Sequence, residues 1–131
     1  MVVPLFFISA LIHVESQGRL DVIGQFGEVG VLQIRQCAID DINRWLGTNL
    51  TLEHAKKPAM ARWMCQVYLR RYCTKERLGR EPTLQDAARI WNGGPDGWKK
   101  PATKKYWEKV KLQLNTQSGR QGDKRELSSL W

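Results

Sequence analysis

Four glycines (Gly18, Gly24, Gly27 and Gly30) fall between positions 18 and 30, a density no helix tolerates, because each adds backbone freedom that a helix must freeze out. The segments on either side carry apolar residues at helical spacing. The chain therefore cannot be an unbroken helical bundle and has to fold as helices set around a glycine-rich loop. Val29, Val31 and Ile34 suggest a short strand or hairpin inside that loop.

Punctuation residues set the helices. Val2-Val3-Pro4-Leu5-Phe6-Phe7-Ile8 reads as the start of a buried helix that opens near Pro4, an acceptable first-turn residue, and ends near Gly18. Ala38, Ile42 and Trp45 or Leu46 form the next apolar stripe, stopped by Gly47. Thr51 caps a short turn, and Pro58 opens the longest expected helix, about residues 59–78, which Gly79 ends. Thr83 with Asp86 resembles a capping box for a helix through Trp91, broken by Asn92-Gly93-Gly94-Pro95. A last helix begins near Thr103 and carries Tyr106, Val110 and Leu114 on one face. The expected organisation is one domain over residues 1–116 and a mobile tail over 117–131, in which Leu127, Leu130 and Trp131 are candidates to dock back.

Composition narrows the class. With 42% hydrophobic residues in 131, the chain is long enough to bury a core without metal or disulfide staples. Six Trp, three Tyr and three Phe argue against disorder. No apolar run approaches the roughly 18 residues a membrane span needs, so membrane insertion is not expected. The N-terminal apolar run lacks both the basic flank and the small-residue cleavage site of a secretion signal. Cys37, Cys65 and Cys73 have no zinc-type spacing, and neither a metal nor a cofactor is expected. On a helix, Cys65 and Cys73 stand about 12 Å apart, too far to bridge. A bridge from Cys37 to either stays open, with buried free thiols the simpler reading. The formal charge of +8 favours an anionic partner: nucleic acid, a membrane surface or an acidic wall polymer.

Three places carry chemistry. Glu15 ends an otherwise apolar helix beside Val14 and Ile12, where desolvation raises a carboxyl's proton affinity towards neutrality, as a general acid requires. The loop Gly27-Glu28-Val29-Gly30-Val31-Leu32-Gln33 lets backbone approach a ligand, and Gln33 offers both a donor and an acceptor. Trp91-Asn92-Gly93-Gly94 sets an amide beside an aromatic face, a mixture that suits sugars. The lysines between Lys99 and Lys111, near Trp98, Tyr106 and Trp107, could suit nucleic acid, but a solvated helix face explains them as well, and nucleic acid is not expected as the primary partner.

Glu15-Ser16, the Gly27-x-x-Gly30-Val31-Leu32-Gln33 loop, Trp91-Asn92-Gly93-Gly94 and Thr103-x-x-Tyr106-x-x-x-Val110 occur in an order that resembles the soluble lytic transglycosylases, whose catalytic domain is shared with goose-type lysozymes. The resemblance spans about residues 4–114. It implies a lysozyme-like α+β domain, mainly α, with five or more helices and a small glycine-rich loop or hairpin. It also implies cleavage of the β-1,4 bond between N-acetylmuramic acid and N-acetylglucosamine in peptidoglycan. Glu15 matches the catalytic acid/base, with Ser16, Gln33, Asn92 and Tyr106 as substrate-side residues. Trp91 stands where the family has tyrosine, and Glu28 where it often has a small residue. The expected product is a 1,6-anhydro sugar. If Glu28 holds a water, the alternative is a hydrolytic muramidase of the goose-lysozyme kind. The implied partner is the peptidoglycan glycan strand, met by a monomer at the bacterial cell wall, periplasmic or extracellular. With no signal in the chain, phage origin or excision from a longer protein is the expected explanation.

Overall fold

Seven α-helices and two short 3-10 turns account for the computed structural model, which describes residues 1–121. They are α1 (Leu5–Ser16), α2 (Gln36–Leu46), α3 (Leu52–Ala55), α4 (Pro58–Tyr72), α5 (Lys75–Leu78), α6 (Leu84–Gly93) and α7 (Lys104–Gln121), with the 3-10 turns Gly97–Lys99 and Pro101–Thr103 between α6 and α7. α7 thus runs to Gln121, and residues 122–131, including Leu127, Leu130 and Trp131, lie outside the described residues.

The expected α+β class does not hold: the fold is mainly α. The described residues form no strand, only the isolated antiparallel bridges Ile23–Val29 and Val29–Ile34. The reason lies in the glycine loop itself. It reverses at Gly24–Gly27 and again at Gly30–Gln33, each reversal closed by a backbone hydrogen bond of 3.1 Å. Two turns so close together leave no stretch long enough to pair for more than one residue. Gly30 is required there: its φ is +76°, and a Cβ would sit 2.6 Å from the Ala55 carbonyl oxygen.

The expected helix over 59–78 is also divided. α4 stops at Tyr72, Cys73 leaves helical geometry (φ −96°, ψ 74°), and the Thr74 side chain caps α5 by accepting from Arg77 N–H. Elsewhere the caps behave as their chemistry dictates. Gln17 and Gly47 close α1 and α2 in the left-handed conformation. Thr83 and Asp86 cap α6 reciprocally, and the Arg80 guanidinium grips both Asp86 oxygens at 2.7 and 2.8 Å.

α1 is the axis of the core. Phe7, Ile8 and Leu11 are fully buried, against α7 on one side and the loop residues Leu32 and Ile34 within the same apolar cluster. Each such side chain contributes roughly 1.5–3 kcal/mol through burial. The N-terminal segment is tied to α4 by a reciprocal pair of hydrogen bonds between Val3 and the Gln66 amide. All three cysteines are free, Cys65 and Cys73 buried and Cys37 exposed.

Candidate functional site

An open groove of about 560 Å³ runs across the end of α1, between the glycine loop and the C-terminal end of α6. Burying α1 along its length forces its last turn, and Glu15 with it, to the floor of this groove. Glu28, Gln33, Arg35 and Cys37 line one part of it, and Tyr68, Trp91, Asn92, Gly93 and Gly94 another.

Glu15 is only partly open to solvent, and its carboxyl is pushed up from 4.5 to about 7. Burial is the main cause, and the Glu28 charge adds to it. The Trp91 indole and Tyr106 hydroxyl side of the pocket, together with the Arg35 cation, pull the other way without prevailing. Near neutral pH the groove floor therefore presents a carboxyl that keeps its proton far more readily than a solvated one.

Five of the seven residues singled out from sequence meet in this groove: Glu15, Glu28, Gln33, Trp91 and Asn92. Two stand behind it. Ser16 is buried, and its hydroxyl donates to the Val31 carbonyl at 2.8 Å, so it fastens the loop to α1. Tyr106 is buried on α7 with its hydroxyl towards Glu15. The two groups are near enough to perturb each other's proton affinity, yet the hydroxyl closes no well-formed hydrogen bond. Gln33 spends its amide N–H groups on the loop, donating to the Val22 and Gly30 carbonyls at 3.0 and 2.9 Å. Glu28 accepts from Phe26 N–H at 3.1 Å and so holds its own turn.

Sequence reasoning passed over Arg35, Cys37, Tyr68 and Cys65. Tyr68 joins the aromatic chain Trp45–Tyr68–Trp91 at centroid separations of 6.1 and 5.6 Å. The fully buried Cys65 lies close enough to Glu15 for that charge, after burial, to raise the thiol. No local pattern in the chain announces either contact.

Neither a family model nor a curated protein matches the sequence. A solved structure does. It is titled "Crystal structure of Aeromonas hydrophila PliI in complex with Meretrix lusoria lysozyme"; the match to one of its chains has a TM-score of 0.72 and 26% identity, and covers 85% of this chain and 90% of that chain.

That finding corrects the functional expectations. What the chain resembles comes from a complex of two proteins, PliI and a lysozyme, and not from a lytic transglycosylase; no family match supports the transglycosylase resemblance. The expectations of a lytic transglycosylase, of a goose-type muramidase as its alternative, and of a wall-cleaving enzyme are withdrawn on this ground. The ordered motifs misled because short glycine and Glu-Ser patterns are also what helix ends and tight turns require, as Ser16 and Gln33 illustrate. Among the described residues no helix is long and apolar enough to cross a membrane.

Proposed function

We propose that this protein acts by pairing with another protein, as one member of a complex of the PliI-and-lysozyme kind, at the bacterial cell wall. The similarity to a chain of that complex carries the reading. The groove mouth supplies a suitable face. Leu20, Ile23 and Phe26 are 61%, 67% and 73% exposed, and all three project from the loop that forms one wall of the groove. Beside them the exposed Arg35 guanidinium lies over the Phe26 ring, 5.5 Å from its centroid. Apolar anchors and an aromatic ring with an arginine are the residue types that carry binding energy at the centres of protein interfaces. Lysozymes hold paired catalytic carboxylates in an open cleft, and Arg35 on an apolar rim is complementary to such a cleft.

The test is calorimetric titration of the purified protein with a lysozyme and, separately, with PliI. Tight binding to either, weakened at least tenfold by Phe26→Ala with Arg35→Ala, supports the pairing. Binding to neither, or clearing of purified cell walls by the protein alone in a Glu15-dependent way, overturns it.

A second reading is favoured by the chemistry of the groove floor: Glu15, flanked by Trp91, Asn92, Gln33 and Glu28 and backed by Ser16 and Tyr106, suits a small polar ligand such as a soluble saccharide. Titration with soluble glycan fragments, followed by Trp fluorescence, separates it from the first.

A further inference from the structure

Between Lys99 and Lys111 the chain carries six lysines and one glutamate, a local net charge of +5 against +8 for the whole molecule. The fold does not disperse them. α7 buries Tyr106, Trp107, Val110 and Leu114 on one side, and helical geometry turns Lys104, Lys105 and Lys109 to the opposite, solvent side. Lys99 ends the first 3-10 turn, and Lys100 follows it with its ammonium donating to the Gly93 carbonyl at 2.7 Å; the turns are not free to splay. The buried Arg89 donates to the Thr103 hydroxyl and the Lys100 carbonyl, both at 2.8 Å, and Thr103 donates to the Gly97 carbonyl at 2.7 Å. Gly97 packs so close to Arg89 that a Cβ would lie 2.0 Å from its carbonyl oxygen. This network holds like charges side by side, against their repulsion. None of these lysines forms an ion pair among the described residues.

We propose that this lysine ridge, which borders the groove at Gly93, is a binding surface for a flexible polyanion of the polyphosphate type, carrying no bases, and independent of the pairing proposed above. The aromatic residues decide the ligand class. Recognition of single-stranded nucleic acid needs exposed rings on which bases stack. Here Tyr106 and Trp107 are 9% and 3% exposed, and Arg80 and Lys99 lie over the Trp98 ring at 5.8 and 5.4 Å. The ridge offers charge at fixed spacing and no stacking platform, which fits a phosphate backbone without bases.

The test is titration of the whole protein with medium-chain inorganic polyphosphate over a range of salt, with a mixed-sequence single-stranded DNA of equal charge run in parallel. Polyphosphate affinity should fall with salt at a log–log slope of about −0.7 per phosphate neutralised, hence about −3.5 for five lysines. Lys99→Gln, Lys104→Gln and Lys105→Gln together should reduce that slope by about 2 and weaken binding at least tenfold at low salt. Glu108→Gln should strengthen binding, a gain that misfolding cannot mimic. Lys56→Gln with Lys57→Gln, on the far side of the sequence, should change it much less. Equal losses in the ridge and control variants, no gain from Glu108→Gln, or DNA bound tenfold more tightly than polyphosphate would each overturn the proposal.

Discussion

Replacing Glu15 with Gln should make this protein more stable at pH 8 and leave it unchanged at pH 4. The reasoning starts from the carboxyl's rise from 4.5 to about 7, caused chiefly by burial at the end of α1. An acid whose proton affinity is raised by folding binds more protons when folded than when unfolded, so stability must fall as pH rises through that window. Below pH 4.5 the group is protonated in both states and costs nothing extra. Between 4.5 and about 7 the folded state loses about 1.4 kcal/mol per pH unit, and above 7 the loss levels off at about 3 kcal/mol. Gln mimics the protonated acid and never acquires the charge. Guanidinium unfolding of the two proteins from pH 4 to pH 9 should therefore give curves that coincide at the acidic end and separate by about 3 kcal/mol at the alkaline end, or roughly 10 °C in melting temperature for a chain of this size. Other titrating groups are common to both proteins and cancel in the difference. A separation that stays constant across the range would refute the claim that the groove floor desolvates Glu15.

Three further perturbations test the frame around the site. Asp86→Asn removes a carboxylate held below its ordinary range: burial opposes the charge, but Arg80 and the Thr83 cap outweigh it. The variant should lose about 1–3 kcal/mol at pH 7 by chemical denaturation, and the loss should shrink below pH 4, where the native carboxylate takes up its proton. Gly30→Ala places a methyl 2.6 Å from the Ala55 carbonyl oxygen at a φ of +76°, so it should cost at least about 1–3 kcal/mol in thermal or denaturant melts and distort the groove wall. Thiol titration of the folded protein should count one rapid reaction, at the exposed Cys37, and three in denaturant, since Cys65 is buried and burial pushes the Cys73 thiol up to about 11. Because Cys37 lines the groove, a bound partner should slow its labelling; unchanged labelling in a saturated complex would place the docking face elsewhere.

Much of the helical frame was legible in the chain because it is governed by neighbours in sequence. Gly47 and Gly79 stop helices at the positions expected of residues that accept a left-handed φ, and Thr83 with Asp86 opens α6 as a reciprocal cap. The periodicity of Tyr106, Val110 and Leu114 was enough to place all three on the buried face of α7. Glu15, too, could be singled out from its apolar neighbours alone.

What the chain did not disclose is set by contacts remote in sequence. The Thr74 cap is local, but the break at Cys73 that divides α4 from α5 is also held by Arg77, drawn to the Tyr72 carbonyl and, 18 residues on, to the Pro95 carbonyl. The glycine loop carries strand-like residues, yet its two reversals leave it without a strand. Ser16 and Gln33 look the same in sequence whether they face a ligand or hold a loop; their hydrogen bonds to Val31, Val22 and Gly30 decide in favour of the loop. The setting of Glu15 depends in the same way on Arg35, Trp91 and Tyr106, which are brought to it from three other parts of the chain. Helix caps and periodicity are local energies, readable one turn at a time. A carboxyl's proton affinity and the reach of a polar side chain depend on what the whole fold places around them, so they were decided only in three dimensions.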